Sequence, residues 1–350
     1  MTPEVALILG IDGLANGAVY LLAGLGLVLI FSVTRVVFVP FGDVAAFAAL
    51  PLAAFETGRL PATVWLVATL AVLALAVEIR SLVVRGESHR IPRAIVGWGV
   101  LPALPCLAAW AIAGRSVPAL LQVAVAVALV VPIIPLVARV ALQPIADASV
   151  LVLLIAALAL HFLLSGLGLL FFGPEGSRTA PLVGGSLSLG DFSVSGQVLL
   201  MVGAAVVLSG LFFLAFERTV AGKALRATAV NRIGARLVGI RPARTALLAY
   251  VAASLLAGLI GVLVAPSTTM YYDSGFLIGL KAFVAAIIGG LVSYPLTAVG
   301  ALAVGVVESF ASFWSGALKD VIVFSLLIPA LLLRSFFSAP SEEEEEELDE

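Results

Sequence analysis

From Val5 to Ile30, and again from Ala246 to Val264, apolar residues run on for the length of a helix that crosses a hydrocarbon core, which takes roughly 20 residues. Lipid offers no water to backbone N–H and C=O groups, so such a segment spans as a helix that closes its own hydrogen bonds. Similar runs repeat along nearly the whole chain. The sequence is 62% hydrophobic and 11% charged, with mean hydropathy +1.20. A soluble domain carries about 25% charged residues to cover its surface, and this chain has too few to do so.

Lengths and breaker residues mark about eleven apolar segments, at roughly 5–33, 38–56, 61–84, 94–113, 118–140, 148–172, 197–216, 244–266, 276–293, 296–314 and 319–334. The expected fold is therefore all-α: a polytopic transmembrane helical bundle of about 9–11 segments, one membrane domain over 1–340. Segments 38–56, 276–293 and 296–314 are short and marked by Gly or Pro. Such segments are expected to include re-entrant or broken helices, which survive at membrane depth where protein buries them or where they line a cavity. The first apolar run is too long for a signal peptide and lacks a basic leader.

Charge sets the expected orientation. The net charge is -2, but Glu342 to Glu347, Asp349 and Glu350 are all in the C-terminal tail. Without them 19 basic residues face 13 acidic ones. Residues 217–244 hold seven Lys or Arg and 80–93 hold four. The linker 173–196 holds only Arg178, and 267–275 holds none. Basic loops stay on the cytoplasmic side, so 217–244 and 80–93 are expected inside, 173–196 and 267–275 outside. An odd number of crossings puts the N-terminus outside. The tail 341–350 is expected to be disordered, because a block of like charge buries no apolar area. A solvated tail and a contact with the basic loop 217–244 both fit it.

The segment 217–240 is too polar for the membrane and too regular for a linker. Leu225, Thr228 and Ala229, then Ile233, Arg236 and Leu237, recur at helical steps. Gly239 suits the end of that helix. A short helix of this kind, basic on one side, binds anionic lipid or docks into a partner protein, and its residues alone leave both readings open.

Gly222-Lys-Ala-Leu-Arg-Ala-Thr-Ala229, followed by Ala235-Arg-Leu-Val-Gly-Ile240, resembles the cytoplasmic loop of permeases of the branched-chain amino acid ABC importer family. Gly275-Phe-Leu-Ile-Gly-Leu-Lys-Ala-Phe283 before Gly289-Gly290-Leu291 resembles the same family. So do Asn16-Gly-Ala-Val-Tyr20 with Ala23-Gly-Leu-Gly-Leu27, and Phe172-Gly-Pro174. The match covers about 5–56 and 142–334. The resemblance implies a second permease subunit, identical or homologous, two cytoplasmic ATPase subunits and an extracytoplasmic solute-binding protein, in the bacterial cytoplasmic (inner) membrane. It makes 222–240 the coupling loop, with Leu225, Arg226, Ala229, Ile233, Arg236, Leu237 and Gly239 as ATPase-coupling residues. Branched-chain amino acids, or a related small amino-acid-like solute, are the implied cargo. The chain has no G-x-x-x-x-G-K-[ST] phosphate loop, so its energy is expected from a partner.

Two features depart from the family pattern. The family's Asn-Phe-Ala-His-Gly-Glu-like turn is here Phe38-Val-Pro-Phe-Gly-Asp43, which keeps Gly42 and an acid. The stretch 85–140 adds roughly two apolar helices.

Pathway candidates are Asn16, Tyr20, Gly42, Asp43, Lys281 and Glu308. Lys281 and Glu308 sit among apolar residues, where a charge costs about 2.5–3.5 kcal/mol on insertion scales. Pairing with each other, or lining a path, answers that cost. Asp43 and Asp12 read as interfacial, and His161 as a satisfied packing histidine. Gly13 and Gly17, four apart, read as a close helix contact. Cys106 reads as a small core residue. With one Cys and two His, no catalytic group, metal site or cofactor is expected, and no nucleic-acid partner. The rival readings are a stand-alone secondary transporter, which needs inverted repeats or an ion site, and an intramembrane enzyme, which needs a catalytic pair.

Overall fold

Helices begin in this chain where a small polar residue meets an apolar run. Thr2, Ser149, Ser195 and Ser293 each accept a hydrogen bond from the backbone N–H three residues on, and so satisfy a donor that the first turn leaves open. The computed structural model describes residues 2–146, 148–189 and 192–337. The acidic tail 341–350 lies outside the described residues.

In chain order the helices are α1 (Pro3–Thr34), α2 (Phe41–Glu56), α3 (Thr63–Val84), α4 (Ser88–Ile112), α5 (Ala119–Ile145), α6 (Val150–Phe172), α7 (Gly196–Arg218), α8 (Val220–Val230), α9 (Arg232–Leu237), α10 (Pro242–Val264), α11 (Ser274–Ile288), α12 (Tyr294–Trp314), α13 (Lys319–Ser325) and α14 (Leu327–Phe337). Among the described residues, eight are long and apolar enough to cross a membrane: α1, α3, α4, α5, α6, α7, α10 and α12. All eleven apolar segments fall on helix. Two of the three segments read as short are short, α2 and α11. The third is not: α12 runs 21 residues, because the break falls at Gly289–Ser293, earlier than the sequence reading placed it. The stretch 85–140 forms two helical bodies, α4 and α5, each containing a π turn (Ile95–Val100 and Ala138–Leu142) beside prolines. Proline removes a ladder donor, and a wider turn relieves the crowding. Between α6 and α7, an antiparallel hairpin pairs β1 (Ser186–Leu189) with β2 (Phe192–Ser195).

The core is built by α1, α2, α10, α11 and α12. Leu22, Val28, Phe47, Ala253, Ala282 and Val304 are fully buried in it. α4, α6 and α7 form an outer layer whose large apolar side chains point away from the protein. Trp110, Phe162, Val206 and Phe213 are each more than half exposed. In water such a surface would be costly; in lipid it is matched to its solvent.

α1 and α12 cross at glycines. A Cβ on Gly13 would stand 2.7 Å from Val306 Cα, and one on Gly305 would collide with the backbone of Gly17. Only glycine lets these two backbones meet, as small residues do in membrane helix pairs.

Candidate functional site

The α1–α12 crossing brings three polar side chains together inside an apolar bundle. Tyr20 on α1 donates its hydroxyl hydrogen to Glu308 Oε2 on α12, at 2.5 Å. Lys281 Nζ on α11 donates to Glu308 Oε1, also at 2.5 Å. Asp320 Oδ1 on α13 lies 2.8 Å from the same ammonium. Tyr20, Lys281 and Glu308 are buried, and Asp320 is partly exposed. The expected Lys281–Glu308 pair thus exists, and four helices meet on it. One cation against two carboxylates leaves the cluster one negative charge in excess.

Glu308 also lines a cavity of about 530 Å³. Asp12, Asn16, Ser309 and Ser312 come to it from α1 and α12, Gln197 from α7, Lys319 from α13 and Arg178 from the linker after α6. The linker and the first turn of α7 are held down by polar contacts to the end of α10. Arg178 Nε donates to the Pro266 carbonyl at 2.9 Å, and Gln197 Nε2 to the Leu263 carbonyl at 2.8 Å. The cavity therefore carries two acids and two bases on separate elements, together with hydroxyl and amide groups. Asn16 and Tyr20 were legible as candidates. Arg178, Gln197, Lys319 and Asp320 were not, although Lys319-Asp320 at the head of an apolar segment was a visible signal.

Gly42 and Asp43 belong to a second locus. Here the N-terminal turns of α2 and α11 meet, with Gly42 against the backbone of Gly275 and no room for a side chain on either. Asp43 is fully buried, in the first turn of α2, at the segment end where it was read. Its Oδ2 pairs with His161 Nδ1 on α6 at 2.7 Å, and the imidazole stacks on Phe276 at 4.2 Å. His161 is satisfied, as read. Asp12 is exposed at the cavity rim.

The segment 222–240 is not one helix, as its spacing suggested, but two. Asn231 leaves the helical conformation, and its side chain accepts from Gly234 N–H at 2.7 Å, which starts α9 anew. The helical face read through Leu225, Thr228, Ala229, Ile233, Arg236 and Leu237 is therefore broken. Leu225 is buried in the chain's own core with Leu29, Val33, Phe216 and Ala249, and Ala229 is half-buried. Ile233 and Leu237 are 73% and 83% exposed. Arg226 bonds Glu217 at 2.7 Å on the surface, and Arg236 is exposed. Gly239, with φ 86°, closes α9 by donating its N–H to the Arg236 carbonyl, the C-terminal role expected of it.

A lipid-facing shell around a core with buried ion pairs and a polar chamber defines a polytopic helical membrane protein. More particularly, residues 10–331 match the family described as the branched-chain amino acid transport system permease component, and the chain belongs to that family. It is 33% identical over 204 residues to the high-affinity branched-chain amino acid transport system permease protein BraD of Pseudomonas aeruginosa, covering 56% of this chain and 66% of that protein. LivH of Escherichia coli K12, a permease protein of the same description, is 32% identical over 204 residues with the same coverage. A probable branched-chain amino acid transport permease LivH of Methanocaldococcus jannaschii is 32% identical over 192 residues, covering 52% of this chain and 60% of that one. The chain thus spans just under two thirds of the length of the curated relatives it matches. No solved structure matches it at a significant level.

Proposed function

We propose that this chain is the membrane-spanning permease subunit of an ATP-binding-cassette importer, moving branched-chain amino acids or a related small amino-acid-like solute across the bacterial cytoplasmic membrane. The observation that carries this reading is the family match over residues 10–331, which takes in the cavity-lining helices and the segment 222–240. The chamber supports it. An amino acid presents an ammonium and a carboxylate together, and Glu308 and Asp12 suit the first as Arg178 and Lys319 suit the second. Lys281 and Tyr20 hold Glu308 from behind. Gly42 and Asp43, at the joint of two helix N-termini, belong to the path in this reading.

In this reading the chain works with a second permease subunit, two cytoplasmic ATPase subunits and an extracytoplasmic solute-binding protein. The exposed Ile233 and Leu237 of α9 dock on the ATPase, with Arg226, Ala229, Arg236 and Gly239 shaping that surface. Leu225 acts from inside, by holding α8 to the bundle. Purification of the chain from its native membrane in mild detergent tests the assembly. Co-purification of a nucleotide-binding subunit and a second permease chain is expected. Recovery of the chain alone, still active in solute uptake under an ion gradient, would contradict the reading.

A further inference from the structure

The end of the bundle that carries the basic segments holds a second cavity, of about 310 Å³. Three arginines line it from separate places in the chain: Arg85 at the end of α3, and Arg232 and Arg236 on α9. Gln143 of α5 joins them. Among the described residues no acidic side chain lines the cavity. Among the described residues none of the three guanidiniums has a carboxylate within 4 Å. Arg226, Arg139 and Arg90, by contrast, are paired with Glu217, Glu78 and Glu87. Three like charges facing one space repel each other unless an anion occupies it.

The geometry of α9 explains how one short helix serves two surfaces. Arg232 and Arg236 are four apart and line the cavity, while Ile233 and Leu237, one position on, are exposed. The cavity wall continues into apolar residues, Val33 of α1, Leu142 of α5 and Ala246 of α10. A cationic mouth over an apolar wall, at the ends of membrane helices, fits an anionic headgroup with its acyl chains attached.

We infer that the cavity between α9, α3 and α5 binds the phosphate group of an anionic phospholipid, through Arg85, Arg232 and Arg236. The bound headgroup ties α9 to α3 and α5, the latter part of the stretch that departs from the family pattern. It holds the exposed face of α9 in position. The guanidinium fork recognises phosphate by paired N–H donors, and free phosphate shares that chemistry. The apolar wall favours the lipid.

The test uses the full chain in micelles of zwitterionic phosphatidylcholine, doped with phosphatidylglycerol or given inorganic phosphate instead. Native mass spectrometry counts retained phosphatidylglycerol, and the unfolding midpoint is followed in parallel. The comparison is between the protein, the variant Arg85→Gln/Arg232→Gln/Arg236→Gln, and a control of equal net charge, Arg90→Gln/Arg218→Gln/Arg241→Gln. Phosphatidylglycerol is expected to be retained and to raise the midpoint of the protein and of the control. Its apparent affinity for the cavity variant is expected to fall by roughly tenfold or more. Arg236→Gln alone, at an exposed side chain, gives a smaller loss of the same kind and serves where the triple variant does not fold. A midpoint rise with inorganic phosphate that the cavity variant abolishes would keep the anion site and assign it to a soluble phosphate. Equal retention by cavity variant and protein would overturn the proposal, as would an equal loss in the control. Lipid retention that emerges only after removal of Ser341 to Glu350 would give the cavity to the chain's own acidic tail, and would also overturn it.

Discussion

Glu308 and Lys281 were recognisable as a pair from sequence because each charge, isolated in an apolar segment, is costly without a partner. The partners that complete the cluster were not recognisable. Tyr20 lies 288 residues from Glu308 along the chain, and Asp320 stands at a segment end, where a charge needs no explanation. The same limit separated Asp43 from His161, 118 residues apart: the sequence exposes the cost of burying each group but not which group answers it. The cluster makes a direct prediction. Lys281→Met leaves Glu308 and Asp320 facing one another without a cation. Breaking a buried pair in this way costs about 3–5 kcal/mol, so the unfolding midpoint in mild detergent should fall sharply. Glu308→Gln keeps the shape and a hydrogen-bonding group, and should be milder in stability than Lys281→Met while still impairing solute uptake. An unchanged midpoint in Lys281→Met would mean that the cluster is hydrated and that its net charge holds nothing together.

Elements were legible to the extent that length and breakers define them. All eleven apolar segments are helices, since hydrophobic length is a strong signal and lipid tolerates little else. The coupling segment was misread because helical spacing was followed straight through Asn231. Asn231 with Gly234 three residues on is itself a helix-start signal, and it resets the register. That correction changes what substitutions there should do. Leu225→Asp buries a charge in the chain's own core and should destabilise the protein by roughly 3 kcal/mol or more, lowering its level in the membrane. Ile233→Asp and Leu237→Asp alter exposed positions. They should leave the unfolding midpoint unchanged and reduce ATPase co-purification and solute-stimulated hydrolysis. Normal ATPase binding by both surface variants would exclude α9 as the docking element. The α1–α12 crossing gives an independent check. Gly305→Val forces a side chain into backbone and should cost about 1–3 kcal/mol or more. Gly10→Val, with no atom within 4 Å of its new Cβ, should be close to neutral. Equal effects of the two on the unfolding midpoint would contradict the close crossing.

At the scale of the molecule, the helical bundle carries a charged chamber at one end and two basic segments at the other. The orientation proposed from the basic residues places 217–244 in the cytoplasm. Val230, which is 86% exposed, and Leu187, which is 51% exposed, offer a labelling position on each segment. In a Cys106→Ala background, Leu187→Cys should react with an impermeant maleimide in intact cells and Val230→Cys only after lysis. The reverse pattern would invert the protein and place the chamber on the wrong side for import. The lipid-facing shell and the buried core were both implied by composition. The chamber was not, because its walls come from α1, α7, α12, α13 and the linker after α6, which only the fold brings together. The central claim is that these walls form half of an ATP-driven path for an amino-acid-like solute. Its most direct measurement is uptake of radiolabelled leucine into proteoliposomes that hold this chain with its co-purified permease and ATPase subunits, with the solute-binding protein added outside and ATP enclosed. The account predicts accumulation above the external concentration that needs hydrolysable ATP, and its loss in Leu237→Asp. Accumulation driven by an ion gradient without ATP, or by this chain alone, would contradict it.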